Sequence, residues 1–210
     1  MSRLILNTGA APSAPASGKQ SLWSDTGAVL RAIDATGKII TLAPITNYST
    51  TSQAPAATTR TYLTGSALTV PSGKLQIGSQ FTWRWNMTKT AAGSAASTID
   101  VAVGTAGTTS DTAVLSFTKP AGTAAADEGW CTLNVICRGP LSASGVFVGE
   151  FTMIHNLSAT GHMTIPAACV NTVSSSFDVT TASLILGVCI TTGASDAITI
   201  QQVFAHAANL

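Results

Sequence analysis

The sequence predicts an all-β chain: a jelly-roll-like β-sandwich preceded by a small N-terminal β-meander and an extended linker. Three observations predict it. Apolar residues recur at every second position through short runs, clusters of Gly, Pro, Ser and Asp separate those runs, and no segment carries the period of an amphipathic helix. At 210 residues the chain is long enough for one β-rich domain of ordinary size plus an appendage.

The first zone, residues 1–44, opens with the apolar run Leu4-Ile5-Leu6 and a Pro/Ala/Ser turn region from Ala10 to Gly18. Leu22-Trp23, Val29 to Ile33 and Lys38 to Leu42 then read as strands, joined by turns at Asp25-Thr26-Gly27 and Asp34-Ala35-Thr36-Gly37. The glycine closing each turn supplies the positive φ that tight hairpins need. The zone predicts a small β-meander with little core of its own. Residues 45–61 are Thr, Ser, Ala and Pro with scattered Gln and Asn. They lack the apolar content to pack alone, which predicts an extended linker or a strap laid on a neighbour.

Residues 62–210 follow period two. Phe81, Trp83, Trp85 and Met87 fall on one face of a strand, with Thr82, Arg84 and Asn86 on the other. The tryptophans are therefore expected in the core and Arg84 outside, free to contact a neighbouring subunit. Further strands are expected at Ala67–Val70, Ser97–Val103, Thr112–Thr118, Trp130–Arg138, Val146–Asn156, Cys169–Val179, Ser183–Thr191 and Ala197–Ala205. Eight or nine strands suit a jelly roll first and another Greek-key sandwich second.

Charge narrows the function classes. Only 9% of residues are charged, against about 25% in ordinary soluble domains, so much of the surface must be Ala, Thr, Ser and Gly. Such strand faces predict contact with other copies, closed as a homotrimer. The net charge is +1 without a Lys/Arg cluster, which argues against nucleic acid as a partner. The apolar run before Asn7 is too short for a signal peptide, and no stretch approaches the ~18 apolar residues of a membrane span. Neither secretion by the usual route nor membrane insertion is expected.

Candidate chemistry is sparse. Cys131, Cys137, Cys169 and Cys189 lack the CxxC pairs of zinc or redox sites, and each lies in an apolar run, as reduced core cysteines do in a reducing cytosol. His155 and His162 flank a turn and raise the thought of a metal, but no carboxylate is expected to accompany them and HExxH is absent, so a hairpin with two polar tips is expected; His206 stands apart. Asp127-Glu128 read as solvated loop charge, because consecutive side chains on an extended chain point to opposite sides; a glycosidase pair would need Asp100, Glu150 or Asp178 as well. The run from Gly193 lacks the closing glycine of GxSxG, and Gly104-Thr-Ala-Gly107 lacks a phosphate-loop lysine. No catalytic, cofactor-binding or metal-ligating residue is assigned, no cofactor is expected, and the chain is not expected to be an enzyme.

The segment Ala14-Pro15-Ala16-Ser17-Gly18, then Leu22-Trp23, Gly27, Val29-Leu30 and Asp34-Ala35-Thr36-Gly37-Lys38 leading to Thr41-Leu42, resembles small β-hairpin modules near the particle-attached end of bacteriophage tail-fibre and other appendage proteins. Thr88–Gly93, Thr105–Thr112, Phe117–Gly122 and Ile198–Val203 are similar to the β-rich terminal domains of phage fibre and structural proteins. The resemblance implies a virion structural protein, commonly trimeric, assembled in the host cytoplasm, with the major capsid protein or another virion protein as partner. No long repetitive shaft joins meander to sandwich, and a linker of about 16 residues reaches at most ~55 Å. That favours a capsid decoration (cement) protein or short head fibre over a tail fibre or tail-tip protein. The latter would recognise a host-surface glycan or protein through loops at Ala91–Ala96, Gly104–Ser110, Pro120–Gly129 and Thr191–Ser195. A carbohydrate-active jelly roll is the third reading and lacks a convincing carboxylate pair.

Overall fold

A computed structural model describes residues 9–24, 30–37, 39–41, 44–164, 167–180, 183–194 and 197–210. The run Leu4-Ile5-Leu6 and the turn at Asp25-Thr26-Gly27 lie outside the described residues. In chain order the strands are β1 (Gln20–Ser24), β2 (Leu30–Asp34), β3 (Ile39–Thr41), β4 (Ile45–Ser49), β5 (Thr61–Tyr62), β6 (Leu68–Val70), β7 (Gln80–Lys89), β8 (Ser97–Gly104), β9 (Thr112–Lys119), β10 (Asp127–Cys137), β11 (Phe147–His155), β12 (Ala167–Val173), β13 (Leu184–Thr191) and β14 (Ile198–Ala208). Among the described residues no helix is long and apolar enough to cross a membrane.

The chain is an all-β sandwich with a three-stranded meander, β1-β2-β3, at its N-terminal side. One layer has six strands in the order β12-β11-β10-β7-β14-β4; the other runs β5-β13-β8-β9, with β6 also on β13. Two nested pairings of a roll are made, β7 with β14 and β8 with β13, while β10, β11 and β12 form a plain antiparallel meander.

Alternation builds the core as expected. Phe81, Trp83, Trp85 and Met87 on β7 are all buried, beside Cys131, Leu133, Val135 and Cys137 of β10. They meet Ile99 and Val101 of β8, Leu115 and Phe117 of β9, and Leu186 and Val188 of β13 within one cluster. Trp85 stacks on Phe151 and Phe81 on Trp83. Arg84, on the opposite parity, is exposed.

Two β-bulges break the alternation. On β14 the register shifts between Ile200 and Gln202, so Gln201 and Gln202 both point outward, while Ile200 and Val203 are both buried. The extra residue reverses the phase of everything after it. A second shift opposite Val101 and Ala102 lets Val114 and Leu115 both be buried on β9.

Residues 45–61, expected to be a linker or strap, are fastened to the sandwich itself. β4 pairs along Val203 to Ala207 of β14 and forms the edge of the six-stranded layer. Gln53 and Ile200 exchange backbone bonds of 2.8 Å each, and the Thr58 amide donates to the Thr192 carbonyl at 3.0 Å. Arg60 ends the strap: its Nε donates to Asp100 Oδ2 at 3.0 Å and its Nη1 to the carbonyls of Thr109 and Asp111 at 2.7 and 2.8 Å. The segment has few large apolar side chains, Ile45 against the core and the exposed Tyr48, but its backbone finds partners on sheet edges, and these hydrogen bonds hold it in place.

The meander also touches the sandwich. The buried Arg31 donates from Nη1 to the main-chain oxygen of Leu210 at 3.1 Å, and Gln76 Nε2 donates to the Ile39 carbonyl at 3.1 Å. Leu22 and Leu30 remain exposed.

Cys131, Cys137 and Cys189 are free and buried. Cys189 differs from the expected core position: it lies in register with Tyr62 and Asp100, on the outward face of its sheet, outside the apolar cluster. Burial pushes its thiol up to about 12, which leaves it unreactive at neutral pH. Cys169 sits opposite Thr152 in the register, and its side chain lies outside the described residues.

Candidate functional site: a buried polar cap and an exposed aromatic groove

At the end of the sandwich where β7 and β9 finish and β10 begins, the ionisable groups turn inward. Lys89 is buried and its ammonium donates to the carbonyls of Thr90, Thr123 and Ala125 at 3.1, 2.8 and 2.6 Å. Lys119, also buried, donates to the carbonyls of Pro120 and His162, both at 2.9 Å. These lysines spend their charge on loop carbonyls and so tie down the connections on either side of β10.

Asp127 corrects the sequence expectation. It was expected to be solvated, yet its side chain and that of His155 are both 0% exposed, with Oδ2 accepting from His155 Nδ1 at 2.7 Å. The carboxylate also accepts the amides of His162 at 2.9 Å and Glu128 at 2.8 Å. Burial opposes the charged form, but these hydrogen bonds outweigh it and hold the carboxyl below its ordinary range. Glu128 behaves differently and accepts from Asn86 Nδ2 at the surface side, 2.8 Å.

His155 and His162 are likewise not polar hairpin tips, since both are buried. Their ring centroids lie 6.3 Å apart. Asp127 Oδ2 accepts a hydrogen bond from His155 Nδ1, and His162 Nε2 donates to the Met87 carbonyl at 3.0 Å. Desolvation, with Lys119 and Lys89 nearby, lowers the His162 pKa to about 4, so the ring is neutral at pH 7. Among the described residues no group of three or more His, Cys, Asp or Glu side chains is placed to hold a metal. The cap holds loops.

The outward face of the six-stranded layer carries a groove of about 500 Å³, a volume within the range of ligand sites. Tyr48, Phe204 and Arg84 come into line across β4, β14 and β7, and Trp130 is one step along on β10. Tyr48 is 70% exposed, Phe204 45% and Trp130 41%. Arg84 lies over the Trp130 ring, with Cζ 5.6 Å from the centroid. Ser49, Thr50, Gln202 and Val203 complete the wall. The bulge on β14 makes this geometry, because it turns Gln202 and Phe204 outward together. Neither a family model nor a curated protein sequence matches the chain.

The loops named as candidate receptor contacts do not converge as a set of four. Gly122 donates to the Ser94 carbonyl at 2.9 Å, and a Cβ at Gly193 would meet Ala95, so three loops gather at the polar-cap end. Gly104–Ser110 lies at the far end of β8, where Asp111 Oδ2 accepts the Gly107 amide at 2.7 Å. Ser195 lies outside the described residues. All three of the groove's aromatic residues were missed in the sequence. Trp130 carried a signal, since its parity opposes Cys131, Leu133 and Val135; Tyr48 was hidden in a segment read as a linker, and Phe204 lay beyond an unforeseen bulge.

Proposed function

We propose that the chain is a non-enzymatic virion structural protein, a capsid decoration (cement) protein or short head fibre that attaches through its N-terminal segment and trimerises through its sandwich. One observation carries this reading. Ile136, Val148 and Val173 stand side by side on the outward face of β10, β11 and β12, and Ile136 and Val173 are exposed. Ile77 and Leu141, also exposed, lie beside Gly139 near the same end of β10. An uncharged apolar row on a chain with only 9% charged residues is poorly hydrated in a monomer. Three copies closing on one axis would bury it. The resemblance of residues 14–42 to phage attachment modules supplies the virion setting, and the exposed Leu22 and Leu30 supply an apolar surface on the meander for a shell protein.

The test is incorporation into particles. Leu22→Asp with Leu30→Asp should leave the melting temperature of the purified chain within about 2 °C, as exposed substitutions do. The same variant should be missing from virions purified by density gradient, whereas the unaltered chain should be located on the shell by cryo-electron microscopy. Normal incorporation of the double variant would move attachment elsewhere.

A second reading, a tail fibre or tail-tip protein that recognises a host-surface glycan, is favoured by the aromatic groove alone.

A further inference from the structure

We infer that the groove between Tyr48, Phe204, Arg84 and Trp130 is a binding site for a carboxylate-bearing saccharide. This names the ligand class for the second reading above and rests on it only for the biological setting. The lining combines two chemistries that a pyranose matches. Exposed aromatic rings offer apolar faces against which the C–H face of a sugar packs, and fixed polar groups at the rim provide orientation. The aromatic rings come from β4, β14 and β10, held by sheet register rather than by loops, so the platform is preorganised and little ordering is needed on binding.

Charge selects among sugars. Arg84 is the single charged residue lining the groove. Among the described residues it makes no ion pair or hydrogen bond, and its guanidinium lies over the face of Trp130. The guanidinium thus keeps its fork of donors free, in the geometry that accepts a carboxylate through two parallel bonds. The Gln202 side chain is also without a partner among the described residues, leaving an amide donor and acceptor for ring hydroxyls. A purely apolar occupant would leave both groups desolvated and unpaired. A neutral sugar would leave the guanidinium uncompensated. An acidic sugar satisfies all of these at once, and uronic and sialic acids share the necessary carboxylate.

The site is distinct from the surface assigned to trimer contacts. Arg84 lies four positions from Gln80, the register partner of Ile136, which is about 13 Å along the strand. Both surfaces can be occupied together.

Binding to the full chain is measured by Trp fluorescence and calorimetry with four probes: an oligoglucuronate, an oligosialic acid, maltohexaose as a neutral sugar and polyglutamate as a polyanion without sugar rings. One or both acidic oligosaccharides should bind, and which of them does identifies the source of the carboxylate. Maltohexaose and polyglutamate should bind at least tenfold more weakly. Arg84→Gln and Trp130→Ala should each weaken acidic-sugar binding roughly ten- to a hundredfold. Arg84→Lys, which keeps the charge and loses the fork, should fall between. Both positions are exposed, and circular dichroism melts check that the three variants fold. The inference is overturned by equal binding of polyglutamate or maltohexaose, by binding indifferent to Arg84→Gln, or by no acidic-sugar binding. It is equally overturned if Trp130→Ala lowers the sedimented mass, which would make the groove an interface between copies. A chain that enters virions yet binds no acidic sugar refutes this site and leaves attachment standing.

Discussion

Trp83→Ala and Trp85→Ala are each expected to cost about 3–5 kcal/mol in urea denaturation, the range for a large aromatic deleted from a packed core. Both indoles are 0% exposed at the centre of the six-stranded layer. The Phe variants should separate the pair. Trp83 Nε1 donates to the Ser66 carbonyl at 2.7 Å, whereas Trp85 Nε1 is buried and has no hydrogen-bond partner among the described residues. Trp83→Phe therefore loses a bond and strands a carbonyl, which costs about 1–3 kcal/mol. Trp85→Phe removes an unpaired N–H and should cost less than Trp83→Phe. An equal cost for the two Phe variants would show that the indole nitrogens are not what distinguishes the sites.

Asp127→Ala should cost a similar amount, about 3–5 kcal/mol, because it leaves His155 Nδ1 and the His162 amide without their acceptor inside the protein. A solvated loop carboxylate would cost about half a kcal/mol or less. The cap should also set the acid limit of the fold. Asp127 has its pKa lowered by folding, so its contribution is present above the unfolded value and is lost as pH falls through the folded one. His162 falls from 6.5 to about 4 on folding, so the unfolded chain binds the extra proton between those values. Its contribution is complete above pH 6.5 and declines towards pH 4, in the same direction as that of Asp127. Urea denaturation should show stability lower by on the order of 2–3 kcal/mol at pH 4.5 than at pH 7. His162→Gln, which can still donate to the Met87 carbonyl but cannot charge, should remove most of that difference. An unchanged pH profile in His162→Gln would contradict the assignment.

What the sequence reveals is what period two can carry. Phe81 to Met87 gave its two faces directly, because a ten-residue strand with large apolar residues at alternate positions has one way to meet a core. The strands from β6 to β14 were legible for the same reason, with boundaries near those observed except on β12, which ends at Val173 and not at the expected Val179. Three things were not. β4 has few apolar residues and is ordered by edge pairing, which depends on where β14 lies and leaves little mark on local composition. The bulge at Gln201 adds one residue without a Gly or Pro to announce it, and plain alternation from Ile198 and Ile200 carries Phe204 to the core side. Asp127, Lys89 and Lys119 sit on inward positions at strand ends, where a charged residue reads as solvated until the loop carbonyls and amides that satisfy it are in place. The exposed groove inherits two of these blind spots, since Tyr48 lies on β4 and Phe204 lies after the bulge.

Assembly through the sandwich is the central claim, and the most direct test is the mass of the full chain by sedimentation equilibrium at micromolar concentration and pH 7. The expected result is three times the 21.2 kDa chain mass, returning to a single chain when Ile136→Glu and Val173→Glu are combined. A mass of 21.2 kDa that does not rise up to the highest soluble concentration would contradict it.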